Sequence, residues 1–141
     1  MSMISLHRSA ARRRRGSNAV EFALILPILI TLFAGIVEWG WTLNQQMMVV
    51  QAAREGARAG VATPRDDDPE SAAQARVVQA LNDMGLNGGA ATVTVSIVGA
   101  YPDELLQVNL ALPHEPIIGL VPIPVDLKAA LTMRLEEQVA P

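Results

Sequence analysis

Residues 12–41 read RRRRGSNAVEFALILPILITLFAGIVEWGW. A block of four arginines, Arg12 to Arg15, meets Gly16. Five residues on stands one carboxylate, Glu21, and from Phe22 to Val37 there is no charge. A helix at the surface of a globular protein carries one apolar stripe; this segment is apolar all round, the mark of a lipid environment or a fully buried core. Its 16 uncharged residues make about 24 Å of helix at about 1.5 Å per residue. Carrying the segment on to Trp41 or Leu43 admits Glu38 and brings it to the roughly 20 residues of a span. Trp39 and Trp41 flank that end, as suits a membrane–water interface. Pro27 removes a helix hydrogen bond, a loss that a membrane or packed bundle tolerates with a kink or a local melt.

The 141 residues allow one modest globular domain plus an added element. The net charge of −3 hides an asymmetry. Arg8 and Arg12–Arg15 precede Gly16, every acidic residue follows it, and losing those five positive charges takes −3 to −8. Positive charge ahead of an apolar segment holds that end in the cytoplasm. A nucleic-acid role for the arginines fits poorly with the acidic remainder. A cleaved secretory signal is opposed by Glu38-Trp-Gly-Trp41, which offers no small-x-small site. With no cysteine there is neither a disulfide framework nor a cysteine-based metal site.

The helical pattern continues beyond the apolar run to about Ala62. Ala52, Gly56 and Gly60 recur every four residues and share a face that lets another backbone approach closely. Either the chain's own later domain or another subunit could occupy that face. Glu55 and Arg58 are spaced to pair. Pro64 stops the helix. Asp68-Pro69-Glu70 is a helix start, with Asp68 as cap, Pro69 at the first position and Glu70 near the positive end of the dipole. Asp66–Asp68 lack the spaced donors of a calcium loop. Ala73, Val77, Leu81 and Met84 form the stripe of this second helix. Gly85, Gly88 and Gly89 end it and open a flexible turn.

Three strands follow. Val93, Val95 and Ile97 alternate with polar residues, as do Leu106, Val108, Leu110 and Leu112. A third set runs Val125, Leu127, Ala129, Leu131, Met133 and Leu135. Together they predict an antiparallel sheet covered on one face by helices. Between the last two strands, Pro113–Pro124 holds four prolines and the stretch Ile117-Ile118-Gly119-Leu120-Val121. It reads as a loop that folds over the sheet or offers an apolar contact surface. The expected fold class is α+β and pilin-like: a long N-terminal membrane-spanning helix, a second helix and a three-stranded antiparallel sheet.

No catalytic constellation stands out. His7 and His114 lack a partner at triad or metal spacing, and the glycines follow a helix rather than opening one. His114 and Glu115 read as surface loop residues. No cofactor or metal is implied. The residue that asks for explanation is Glu21, because a lone carboxylate in an apolar helix costs about 2.5–3.5 kcal/mol on insertion scales. It either snorkels to the interface beside the arginines or meets a positive charge on another chain, such as a free amine on Ser17 created by cleavage after Gly16.

Gly16-Ser-Asn-Ala-Val-Glu21-Phe22, preceded by arginines and followed by the apolar run, resembles a type IV prepilin processing site. More narrowly, Glu21-Phe-Ala-Leu, Pro27, Glu38, Ala53-Arg-Glu-Gly-Ala-Arg58 and Leu131-Thr-Met-Arg-Leu-Glu136 resemble the TadE-type pseudopilins of tight-adherence (Flp) pilus systems. The resemblance implies cleavage between Gly16 and Ser17 by a prepilin peptidase, and a registration role for Glu21 with Phe22 in a filament. It also implies a minor, non-enzymatic subunit needed for assembly of an adhesive pilus. Its partners would be other pilins and pseudopilins, the inner-membrane assembly platform and membrane lipid, and not nucleic acid. Ser17 departs from the aromatic that begins many type IV pilins, which leaves methylation of the new N-terminus open. The expected layout is a cytoplasmic leader (1–16), a long helix (17–62) embedded in the inner membrane to about residue 43, and a periplasmic α+β head (63–141). The alternative is an uncleaved, signal-anchored single-pass protein with a binding head.

Overall fold

The computed structural model describes residues 7–100, 102–119 and 126–135, with side chains described from Asn18 onward. The side chains of Arg8, Arg12–Arg15, Gly16 and Ser17 therefore lie outside the described set, as do Leu120, Val121, Val125 and Glu136. Two α-helices and three strands follow one another: α1 (His7–Ala62), α2 (Pro69–Asp83), β1 (Thr92–Val98), β2 (Leu105–Leu112) and β3 (Leu127–Arg134), with short 3-10 turns at Arg65–Asp67 and Gly88–Ala90. The fold class is α+β, with a long apolar N-terminal helix, a second helix and a three-stranded antiparallel sheet. By contacts the chain divides into two compact units, Met1–Trp39 with Ile118–Pro122 and Gly40–Ile117 with Ile123–Pro141.

In the first unit, α1 passes through Pro27 without the interruption of a local melt. The Thr31 hydroxyl donates to the Pro27 carbonyl at 2.8 Å. From Val20 to Phe33 the large apolar side chains are exposed on every face of the helix. Asn18–Ala62 is, among the described residues, the one helix long and apolar enough to cross a membrane.

In the second unit, α1 changes character. Thr42, Gln45, Val49, Ala52, Ala53, Gly56, Ala57 and Gly60 are buried, in steps of three and four, while Leu43, Met47, Gln51, Arg54 and Arg58 are exposed. This stripe enters a core with Ala73, Val77, Ala80 and Leu81 of α2 and Val95, Leu106, Val108, Leu110, Leu112 and Leu127 of the sheet. The two helices approach closely because α1 offers glycine. A Cβ on Gly56 would lie 2.2 Å from Val77 Cγ2 and 2.9 Å from the Ala73 carbonyl oxygen. One on Gly60 would meet Leu106 Cδ2 at 2.5 Å and the Pro69 carbonyl oxygen at 2.9 Å. Glu55 pairs with Arg76 of α2 at 2.5 Å, so its partner lies across the helix pair and is not the expected Arg58, one turn along.

The ends of α2 are chemically specified. Asp68 caps the N-terminus, accepting from the Ser71 N–H at 3.1 Å, and adopts a left-handed φ of 56° to do so. Pro69 fills the first helical position, where its missing N–H costs nothing. Glu70 does more than favour the dipole: its Oε1 accepts from the Ile97 N–H at 3.0 Å and ties the helix start to β1. At the other end Gly85 takes φ 79°. The Leu86 N–H reaches the Leu81 carbonyl and the Gly85 N–H the Asn82 carbonyl, at 2.9 and 3.0 Å, which is the paired closure of a Schellman motif. The expected flexible glycine turn is instead tightly packed at Gly88. Its N–H donates to Asn82 Oδ1 at 3.0 Å, and a Cβ there would lie 2.6 Å from the Val78 carbonyl oxygen.

The sheet order is β1-β2-β3 with both pairs antiparallel. Its register stacks Val95 on Val108 on Leu131, and Ile97 on Leu106 on Met133. Apolar residues thus share the face turned to the core, and Thr92, Thr94, Lys128, Ala130, Thr132 and Arg134 are exposed. β3 runs Leu127–Arg134, and Val125 of the sequence pattern lies outside the described residues; Leu135 falls just past the strand, and its N–H donates to the Glu104 carbonyl at 3.0 Å.

The close approach generates a paired expectation. Gly→Ala in a helix gains about 1 kcal/mol of propensity, so Gly40→Ala, with nothing within 4 Å of its new Cβ, should raise the denaturation midpoint in detergent. Gly56→Ala should lower it, by a net destabilisation of about 1–3 kcal/mol from overpacking, because the Ala73 carbonyl cannot move aside. Circular dichroism melts of the two variants check both signs.

Candidate functional site

The residues expected to carry function all lie on α1. Gly16 and Ser17 are in its first turns, with undescribed side chains. Glu21 and Phe22 stand on its exposed apolar portion, Phe22 being 60% exposed. Ala52, Gly56 and Gly60 form the face lying against α2 and β2. Glu21 and Phe22 belong to the first compact unit and the small-residue face to the second.

Two features between these places were not legible as sites in the sequence. The first is Glu38, which is 1% exposed. Its Oε2 accepts from two successive backbone N–H groups, Ile118 at 3.0 Å and Gly119 at 3.3 Å. Gly119 adopts φ 68°, and consecutive N–H groups converging from such a bend form an anion-binding nest. An acidic side chain at the end of an apolar segment is costly unless its lone pairs are used, and here backbone donors 80 residues away use them.

The second feature surrounds His114, which is half-buried and not a solvated loop residue. Trp41 Nε1 and Gln45 Nε2 both donate to the Glu115 carbonyl, at 3.1 and 3.4 Å. Gln45 Oε1 faces His114 Nδ1 at 2.7 Å, a contact in which the Nδ1–H tautomer donates. In that tautomer Nε2 accepts from the Thr42 hydroxyl at 3.3 Å. The start of the proline loop, at His114 and Glu115, is therefore held on α1 by three side chains from adjacent turns. Gln46 adds a bond from the same helix to the Lys128 carbonyl at 2.8 Å.

A signal for these residues existed. Stepping back from Ala52 by three and four gives 49, 45, 42, 38 and 34, so Gln45, Thr42 and Glu38 occupy the buried stripe where a simple amphipathic helix would place apolar residues. Polar groups on such a stripe need partners.

Chemically the arrangement binds and positions. Among the described residues no group of three His, Asp or Glu side chains is placed to hold a metal ion. The carboxylate of Glu38 and the imidazole of His114 are each engaged in hydrogen bonds that fasten the chain to itself.

The His114 cluster should behave as a unit. Gln45→Ala and His114→Ala should each cost about 1–3 kcal/mol for the partners left unpaired. The double variant should cost less than the sum by about 0.5–3 kcal/mol. Denaturant titration of the four proteins in detergent measures that coupling, and strictly additive losses would contradict it.

Against known proteins, the model of the family described as TadE-like protein matches residues 16–58. The match runs from Gly16 through the apolar helix and the small-residue face to Arg58. No curated protein and no solved structure matches the chain. Over that stretch the chain is similar to the TadE-like family. The apolar helix near the N-terminus suggests a single-pass membrane anchor.

Proposed function

We propose that this chain is a pseudopilin, a minor subunit needed to assemble a tight-adherence pilus used in surface adhesion. The observation that carries this reading is the pairing of the TadE-like match over residues 16–58 with an α1 whose apolar surface is exposed all round from Val20 to Phe33. Such a surface needs lipid or the apolar helices of other subunits around it, and a pilin helix meets each in turn.

On this reading residues 1–16 are a cytoplasmic leader, held there by Arg8 and Arg12–Arg15. An inner-membrane prepilin peptidase cuts between Gly16 and Ser17. Residues 17–62 form the long helix, in the membrane to about residue 43 until extraction, and residues 63–141 a periplasmic head. The new amine of Ser17 on one subunit meets Glu21 of a neighbour, a charge-paired contact between subunits. Phe22 beside it supplies apolar contact in the filament core. The face of Ala52, Gly56 and Gly60 fixes the stalk to the head. Other pilins and pseudopilins, the peptidase and the assembly platform are the partners, and no cofactor is called for.

Cleavage makes the reading testable. Intact mass of the protein extracted from membranes of cells that carry the pilus system should correspond to a chain beginning at Ser17. Gly16→Leu should leave the leader attached and abolish pili. A wild-type chain that retains its arginine block in those membranes would instead favour an uncleaved signal-anchored protein. Glu21→Val should allow cleavage but reduce piliation, which electron microscopy of surface fibres can score.

A further inference from the structure

Counted along α1, Glu38 lies 16 residues beyond Phe22, about 24 Å at about 1.5 Å per residue. That distance brings it towards the far edge of a hydrocarbon core about 30 Å thick. The carboxylate faces inward, 1% exposed. Around it the helix keeps a greasy exterior: Phe33 is 69%, Ile36 63% and the interfacial aromatic Trp39 56% exposed. Ile118, held by its backbone N–H to this same carboxylate, is itself 47% exposed. An isoleucine on a loop is therefore fastened beside the last apolar turn of the helix. Its depth is set by a hydrogen bond from its own backbone.

We propose that Ile118 and Gly119, pinned to Glu38, seat on the lipid headgroup boundary at the Trp39 end of the span, so that the chain meets the bilayer through a loop as well as through its helix. The proposal rests on reading α1 as a membrane span.

Three observations select lipid as the occupant. The exposed surface of Ile118 belongs to the same compact unit as the exposed apolar helix, so the loop extends a surface that lipid already covers. Tryptophan, which favours the headgroup level, stands next to the pinning carboxylate in the chain. The nest leaves the Ile118 and Gly119 N–H groups satisfied by Glu38, which removes the main cost of bringing those two residues' backbone donors into the boundary region. A loop kept in water would need no such acceptor. In this arrangement Glu38 is a positioning residue whose charge is neutralised by dipoles within its own chain, in contrast to the neighbour's amine proposed for Glu21.

The absence of cysteine makes single-site labelling direct. The full chain is reconstituted in vesicles of phosphatidylethanolamine and phosphatidylglycerol that include brominated lipid, with a bimane label on Leu29→Cys, Ile118→Cys or Thr132→Cys in turn. The label at position 29 reports the span, and the label at position 132, on the exposed face of β3, reports water. Position 118 should be quenched by lipid well above the level of position 132. Adding Glu38→Ala should drop the quenching at 118 to that of 132 while position 29 stays quenched. Glu38→Gln retains an acceptor oxygen for both N–H groups and should keep the quenching. Quenching at 118 no greater than at 132 overturns the proposal, as does a signal indifferent to Glu38→Ala. Disulfide-linked dimers through Ile118→Cys without lipid quenching would name a second copy as the occupant and overturn it too. Loss of quenching at position 29 would instead sink the membrane-span reading, and this proposal with it.

Discussion

Two helices can share a core at short range only where one of them withholds its side chains, and in this protein α1 does so. At Gly56 and Gly60 no room exists for a single carbon: the Ala73 and Pro69 carbonyl oxygens lie 2.9 Å from where a Cβ would stand. With Ala52, Ala53 and Ala57 completing the face, α2 comes close enough for Val77 and Leu81 to reach the apolar side of the sheet. A larger residue at either glycine would push α2 outward and open the layer beneath it. The helix propensity that glycine forfeits, about 1 kcal/mol per residue, is offset by this packing. Cross-links then fix the helices in register: Glu55 to Arg76 between α1 and α2, and Glu70 to the Ile97 N–H between α2 and β1.

One helix serves two kinds of surroundings. Up to Phe33 its large apolar side chains are exposed in every direction; in the second unit it has one buried stripe and a solvated face. Along the run between lie Glu38, Thr42 and Gln45, buried polar residues whose donors and acceptors are answered by backbone of the proline loop or by His114. Buried polar groups are costly when unpaired and geometrically demanding when paired. Each such pair specifies one position for the loop residue it holds, where apolar residues would permit many. A proline cannot donate to a sheet ladder, and at His114 and Glu115 the chain is anchored by helix side chains instead.

Much of this was legible in the residues because it is periodic or local. A run of one-sided or all-round apolarity, strands alternating at period two, Asp68-Pro69 at a helix start and Gly85 at a helix end depend on neighbours within a turn or two. The same alternation excluded register slips of one residue, which would turn Val108 and Leu110 to solvent; the register itself came from the folded sheet. The resemblance carried by Gly16 to Phe22 and by residues 53–58 agrees with a family match over residues 16–58.

What sequence alone determined, then, is the α+β class, the long apolar helix, the cap chemistry of α2 and the faces of the strands. All of these arise from side-chain spacing acting through backbone geometry. Tertiary structure alone decided which distant groups meet. Glu38 finds N–H groups 80 residues away, Gln45 meets His114 at a separation of 69, and Glu55 chooses Arg76, 21 residues on, over Arg58 one turn along. The physical reason is that a hydrogen bond depends on a few ångströms and an angle, and no spacing in the chain encodes that for residues on separate elements. The small face of α1 shows both sides. Its four-residue repeat stood in the sequence as an invitation to close packing, and only the folded chain showed α2 taking it up.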